Sequence, residues 1–207
     1  MAGAMIVAPQ RILPVVVIDR VSDAVPLAEA LLAGGITVAE VTLRTSAALE
    51  AIEAMRGVDG FAVGAGTVRS PGQAEEVQDA GAAFAVAPGL DPAVVARCAE
   101  LGLPLIPGVA TASELQQGLD AGLTRLKLFP AANLGGPSFV RALASVFPEA
   151  RFYPSGGISA DVAGDYLAID SVEAVCGSWM VPAALLERRD WTGVTRLARE
   201  AVEGVRA

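Results

Sequence analysis

Short apolar or β-branched runs alternate along the whole chain with alanine- and leucine-rich segments of helical spacing, and that alternation limits the possible folds to a parallel α/β architecture. The strand candidates are Leu13–Ile18, Ala39–Arg44, Phe61–Gly66, Phe84–Pro88, Pro104–Val109, Arg125–Pro130, Arg151–Ser155 and Val172–Gly177. Ser22, Ser70 before Pro71, Asp91 before Pro92, and Ser159 offer oxygen-bearing N-caps to the helices between them. Gly34-Gly35, Gly81, Gly102 and Gly122 stand where those helices should stop. At the end, Thr192 to Arg206 places Val194, Leu197, Ala198, Ala201, Val202 and Val205 on one helical face, which predicts a closing amphipathic helix over 192–206.

Eight βα units in 207 residues average about 26 each, near the lower size limit of a (β/α)₈ barrel. The expectation is therefore one TIM-barrel domain over 1–207, with residues 1–11 as an N-terminal extension. An open doubly wound sheet is the rival, but its nucleotide fingerprints are missing. Gly64-Ala65-Gly66-Thr67-Val68-Arg69 fails GxGxxG at its last position, and no GxxxxGK[ST] occurs.

Charge and residue usage remove several functions. The formal charge of −8 disfavours nonspecific nucleic-acid binding and recruitment to anionic membranes. No apolar run reaches the roughly 20 residues of a membrane-spanning helix, and Met1 to Gln10 lacks the basic start of a secretion signal, so a cytoplasmic location is expected. Cys98 and Cys176 are too few for a disulfide scaffold and read as reduced core residues. With no histidine, Ser-His-Asp and Cys-His catalysis and HExxH zinc sites are excluded. Of 15 basic residues only Lys127 is lysine, so side-chain amine chemistry has one candidate.

Strand alternation then brings chemistry together. Within Ala39–Arg44, Val41 and Leu43 suit a helix-facing layer, leaving Glu40, Thr42 and Arg44 to point inward. In Arg125–Pro130, Leu126 and Leu128 face outward, Lys127 and Phe129 inward. One reading is a structural Glu40–Lys127 or Glu40–Arg44 ion pair. The other is a nucleophilic amine, its pKa lowered by desolvation and by Arg44, with Glu40 moving protons. Ser155-Gly156-Gly157-Ile158-Ser159 and Cys176-Gly177-Ser178-Trp179 follow the last two strands, where such barrels hold phosphate. Thr111 reads at least as well as a helix cap as a site residue. Pro88 and Phe129 are candidate cavity walls, and Trp179 a hydrophobic cover over the last strand's loop.

From Ile12 nearly to the end, the chain resembles the bacterial 2-keto-3-deoxy-6-phosphogluconate (KDPG) aldolase and 4-hydroxy-2-oxoglutarate aldolase family. The resemblance is carried in order by Glu40-Val41-Thr42-Leu43-Arg44-Thr45, Gly64-Ala65-Gly66-Thr67-Val68, Pro88-Gly89-Leu90, Pro107-Gly108-Val109-Ala110-Thr111, Lys127-Leu128-Phe129-Pro130-Ala131, Gly156-Gly157-Ile158 and Gly177-Ser178-Trp179. It implies a class I lyase that splits 2-dehydro-3-deoxy-6-phosphogluconate into pyruvate and glyceraldehyde 3-phosphate, as in the Entner–Doudoroff pathway. It further implies Lys127 as Schiff-base former, Glu40 as general acid/base, Arg44 and Thr67 on the pyruvate-derived carboxylate, and Gly156, Gly157, Gly177 and Ser178 at the phosphate. Ser155 stands where threonine is common in the family. No metal and no cofactor are implied, and a homotrimer is. Relatives that take the galactonate epimer or 4-hydroxy-2-oxoglutarate are the nearest alternatives, and the galactonate enzymes often lack an arginine at the position of Arg44. A different reaction in the same barrel, or a noncatalytic phosphosugar-binding barrel, would leave Lys127 inert toward pyruvate.

Overall fold

The computed structural model describes residues 11–205, so residues 1–10 of the expected extension and Arg206 of the expected last helix lie outside it. The strands are β1 Ile12–Val16, β2 Val38–Thr42, β3 Ala62–Gly66, β4 Ala85–Val86, β5 Leu105–Ile106, β6 Gly108–Val109, β7 Arg125–Leu128, β8 Arg151–Pro154 and β9 Val175–Gly177. The helices are α1 Ala24–Ala33, α2 Ala48–Met55, α3 Pro71–Asp79, α4 Pro92–Leu101, α5 Ala112–Asp120, α6 Gly136–Val146, α7 Ala160–Leu167, α8 Ala183–Arg188 and α9 Trp191–Gly204.

All strand pairings are parallel. One sheet runs β5-β4-β3-β2-β1-β9 and the other β6-β7-β8. The break between them falls at Pro107, inside the fifth expected strand. Proline has no N–H to give a ladder, so the run divides into β5, bonded to β4, and β6, bonded to β7. On the far side, single bridges pair Phe152 with Val172 and Ser155 with Cys176. The result is a curled parallel sheet with helices outside.

Two apolar layers follow from period-two alternation. Val41, Ala65, Leu126 and Leu128 face outward into a core shared with Leu27, Ile52, Val77, Leu115 and Val140 of the helices. Leu13, Val38, Phe84, Val86, Ile106, Tyr153, Ala174 and Cys176 form a separate inner cluster. Full burial of each large side chain there contributes about 1.5–3 kcal/mol. At the strands' N-terminal end the Tyr153 hydroxyl donates to Glu173 Oε2 at 2.6 Å and Arg125 Nε donates to the same oxygen at 2.8 Å. Burial, reinforced by Glu173, pushes the Tyr153 phenol above its ordinary value, so it stays neutral and plugs that end.

Capping matches at two of the four expected N-caps. Ser70 Oγ accepts from Gln73 N, and Asp91 Oδ1 from Ala93 N. Thr111 and Glu114 form a reciprocal capping box, which makes Thr111 structural. Two caps differ from expectation. Ser22 lies inside a short 3-10 turn, and α1 starts after Asp23, whose carboxylate is clamped by Arg20 and Arg189 at 2.8 Å each. Ser159 keeps the N-cap position, but its hydroxyl donates to Asp161 instead of accepting from the helix. No helix among the described residues is long and apolar enough to cross a membrane.

Candidate active site

At the C-terminal ends of the strands a cavity of about 460 Å³ is lined by Val15, Thr42, Arg44, Thr67, Pro88, Lys127, Phe129, Ser155, Gly156, Gly157, Ile158, Cys176, Gly177 and Ser178. Every residue expected in the site is therefore on its wall except Glu40, which lies fully buried under the floor. A smaller, more apolar cavity of about 250 Å³ adjoins it through Val15 and Ser178 but contains neither the lysine nor the glycine loops.

Lys127 Nζ donates to Glu40 Oε1 at 3.0 Å. Lysine is 7% exposed and glutamate 0%, so this is a buried ion pair open to the cavity on one side only. Burial pulls the amine's pKa down, but the Glu40 carboxylate outweighs it and the net direction is upward. That corrects the expectation of a lowered pKa. Arg44 does not act on the amine as expected either: it is exposed on the cavity wall, past the end of β2, and is not among the groups that move Lys127. That direction favours the protonated form of the amine at rest. Glu40 Oε2 is buried and has no hydrogen-bond partner among the described residues.

Arg44 forms no ion pair with a carboxylate of the described residues, which leaves its planar fork available to an anion. Across the cavity Thr67 has φ of +65°, a conformation that a β-branched residue rarely adopts. Strain of this kind is held in place by its surroundings and is common at binding sites. Thr67→Gly is accordingly expected to change global stability by no more than about 1 kcal/mol, because relief of strain offsets added chain entropy. The same variant should weaken binding of small 2-oxo acids, which calorimetry on pyruvate would register; unchanged affinity would remove Thr67 from the site.

Ser155-Gly156-Gly157-Ile158 turns sharply after β8, with φ of +91° at Gly156 and +76° at Gly157. A Cβ on Gly157 would come within 2.5 Å of Ala132, so glycine is required by space as well as by backbone. The N–H groups of Gly157 and Ile158 have no carbonyl partner among the described residues, and both residues line the same cavity as exposed Ser178. Successive N–H groups in such a turn have the chemistry to take an anion. Phe129 lies at the mouth, 38% exposed, with Nζ of Lys127 5.8 Å from its ring centre, and the Phe129-Pro130 peptide is cis. Trp179 packs against the core over Gly177 and is not on the cavity wall.

Val15 is a wall residue that the sequence reading did not single out, while Ile158 and Cys176 entered it only as members of the two glycine loops and, for Cys176, as a core thiol. Alternation from Leu13 and from Ala174 would have found Val15 and Cys176, since both pairs share the inward phase. Burial pushes the Cys176 thiol up, and Glu40 adds to that, so it is a neutral wall.

Comparison with known proteins decides the family. A model of the KDPG and KHG aldolases matches residues 4–197. The chain belongs to this family. Among its aldolase relatives, the KHG/KDPG aldolase of Escherichia coli K12 is 49% identical over 94% of this chain and 92% of its own. The 2-dehydro-3-deoxy-phosphogluconate aldolase of Dickeya dadantii is 49% identical over 95% and 92%. Two solved aldolases share the fold at a TM-score of 0.89. One is the 2-keto-3-deoxy-6-phosphogluconate aldolase of Zymomonas mobilis ZM4 with 3-phosphoglycerate, 46% identical over 92% of this chain and 90% of that one. The other is the KDPG aldolase of Legionella pneumophila with pyruvate captured as a covalent carbinolamine, 44% identical over 91% and 92%.

Proposed function

We infer that this chain is a class I aldolase that cleaves 2-dehydro-3-deoxy-6-phosphogluconate into pyruvate and glyceraldehyde 3-phosphate through a lysine Schiff base. The observation that carries the reading is the Lys127–Glu40 pair at 3.0 Å beneath a cavity lined also by Arg44, which has no ion pair among the described residues, and by the Gly156-Gly157 turn. Counting β5 and β6 as one strand split at Pro107, the curled sheet supports an eight-stranded (β/α)₈ barrel in a single domain.

Glu40 accepts the ammonium proton, and the freed Lys127 amine attacks the C2 ketone. Glu40 returns that proton to the carbinolamine hydroxyl, whose loss as water gives an iminium cation and leaves Glu40 a carboxylate. Glu40 then removes the C4 hydroxyl proton, C3–C4 breaks, and its electrons flow into the iminium, releasing glyceraldehyde 3-phosphate. Protonation of the enamine at C3 and addition of water return pyruvate and the free amine. Arg44 and Thr67 hold the substrate carboxylate, while the Gly156-Gly157 turn, Gly177 and Ser178 hold the phosphate. The E. coli relative's name covers a second acid, KHG, whose distal group is a carboxylate. The same N–H groups suit that anion.

Incubation with pyruvate and sodium borohydride tests the reading. Reduction should add an irreversible mass to the peptide bearing Lys127 and to no other peptide. A folded protein that emerges unlabelled would refute the Schiff base.

A further inference from the structure

On the lumen side, β3 supplies glycine twice in succession. The parallel register sets Glu40 beside Gly64 and Thr42 beside Gly66, while Val63 and Ala65 face the outer core. The lumen volume that β3 leaves empty is filled from neighbouring strands. A Cβ on Gly64 would lie 2.3 Å from the Phe84 ring, so that glycine makes room for core packing. A Cβ on Gly66 would lie 2.9 Å from Glu40 Oε2, 3.2 Å from its carboxyl carbon and 3.1 Å from Thr42 Cγ2. The space beside Gly66 is thus occupied by a reactive group. Oε2 is the oxygen without a hydrogen-bond partner among the described residues, whereas Oε1 is held by Lys127.

We propose that Gly66 is a positioning residue for the proposed reaction: its missing side chain is the slot that keeps Glu40 Oε2 free and aimed for proton transfer. The inference rests on the aldolase reading. Gly66 does not need a left-handed backbone, since it is absent from the positive-φ residues, and its carbonyl accepts from Leu43 N at 2.9 Å whatever the side chain. Alanine there is consequently a steric probe with no backbone penalty. The group that must give way is the end of the Glu40 side chain, which can pivot at small cost to the fold. That pivot moves the carboxylate off its proton-transfer line while Lys127 stays in place, and a displacement on the order of 1 Å can cost about 100-fold in rate.

Gly66→Ala separates the two halves of the chemistry. Borohydride trapping of pyruvate on Lys127 after long incubation should persist, because it reads the iminium at equilibrium, which slower proton transfer delays but does not abolish. Exchange of the pyruvate methyl protons for solvent deuterium, followed by NMR, should fall about 100-fold, and kcat for cleavage should fall with it while KM changes little. Exchange within about threefold of wild type would overturn the proposal. If wild-type protein itself neither traps nor exchanges pyruvate, the aldolase reading fails instead, so the two failures are distinct. Should Gly66→Ala be insoluble, Thr42→Ser added to it removes the Cγ2 contact and keeps the hydroxyl that donates to Val16 O. With the fold so recovered, exchange must remain low relative to Thr42→Ser alone. Restored exchange would show that Thr42, not Glu40, was the crowded group, and would overturn the proposal equally.

Discussion

Lys127→Met is expected to lower cleavage of 2-dehydro-3-deoxy-6-phosphogluconate by at least about 10⁴-fold and to abolish borohydride-dependent labelling by pyruvate. Removal of a covalent nucleophile deletes the reaction path instead of slowing one step, and residual rates then reflect binding and charge alone. No other lysine exists to substitute, because Lys127 is the only one in the chain. Methionine has nearly the length of lysine and fills the same space between the inner cluster and Phe129. It leaves Glu40 buried without its counter-charge, a local cost that the matching volume of methionine partly offsets. The variant should therefore fold, and its Gly156-Gly157 turn should still respond to ligand. A steady-state assay coupled to pyruvate reduction, with circular dichroism as the control for folding, measures this. Turnover surviving within tenfold of wild type, about 1.4 kcal/mol, would favour a different chemistry in the same cavity.

The features that could be read from sequence are those that alternation and residue scarcity impose. A solitary lysine and a glutamate in the inward phase of two strands meet at 3.0 Å because the sheet curls, and parallel strands must bury both faces. The tight turn after β8 was legible because glycine there answers a backbone demand, shown by the positive φ at Gly156 and Gly157. Strand ends were less legible. Arg44 and Phe129 belong to expected strands, yet the ladders stop at Thr42 and Leu128, so both residues sit in the loops that rim the cavity. Pro107 splits a strand that reads as continuous by hydropathy, since hydropathy does not register a missing N–H. The direction of the Lys127 shift was misjudged for an energetic reason. Desolvation and a carboxylate at contact oppose each other, and which one wins depends on a distance that no sequence pattern contains. The same holds for Gly66, whose role appears only once Oε2 of Glu40 is located in space.

Glu40→Gln should separate attack from proton transfer and reverse the sign of a pH effect. Glutamine preserves shape and can still accept from Lys127, but it cannot take a proton. Cleavage is expected to fall between about 10²- and 10⁴-fold, the range for loss of a positioned acid–base group. The pH dependence of stability tests the electrostatics independently of activity. In the wild type the folded Lys127 holds its proton more tightly than the unfolded chain does, because Glu40 outweighs burial. The folded state then binds more protons than the unfolded state above the ordinary lysine value of 10.5, so the pair's stabilisation is complete below that value and is lost as pH rises through the folded value. In Glu40→Gln the pull of the carboxylate is gone, and burial, the largest single influence on the amine, favours its neutral form. The unfolded chain now binds more protons, so the variant's stability should rise with pH up to the ordinary lysine value, where the wild type shows no gain. Urea unfolding across neutral to alkaline pH, compared between the two proteins, gives the difference directly. Parallel profiles would mean that the buried carboxylate does not hold the lysine proton, and the proton path from Lys127 to Glu40 would have to be abandoned.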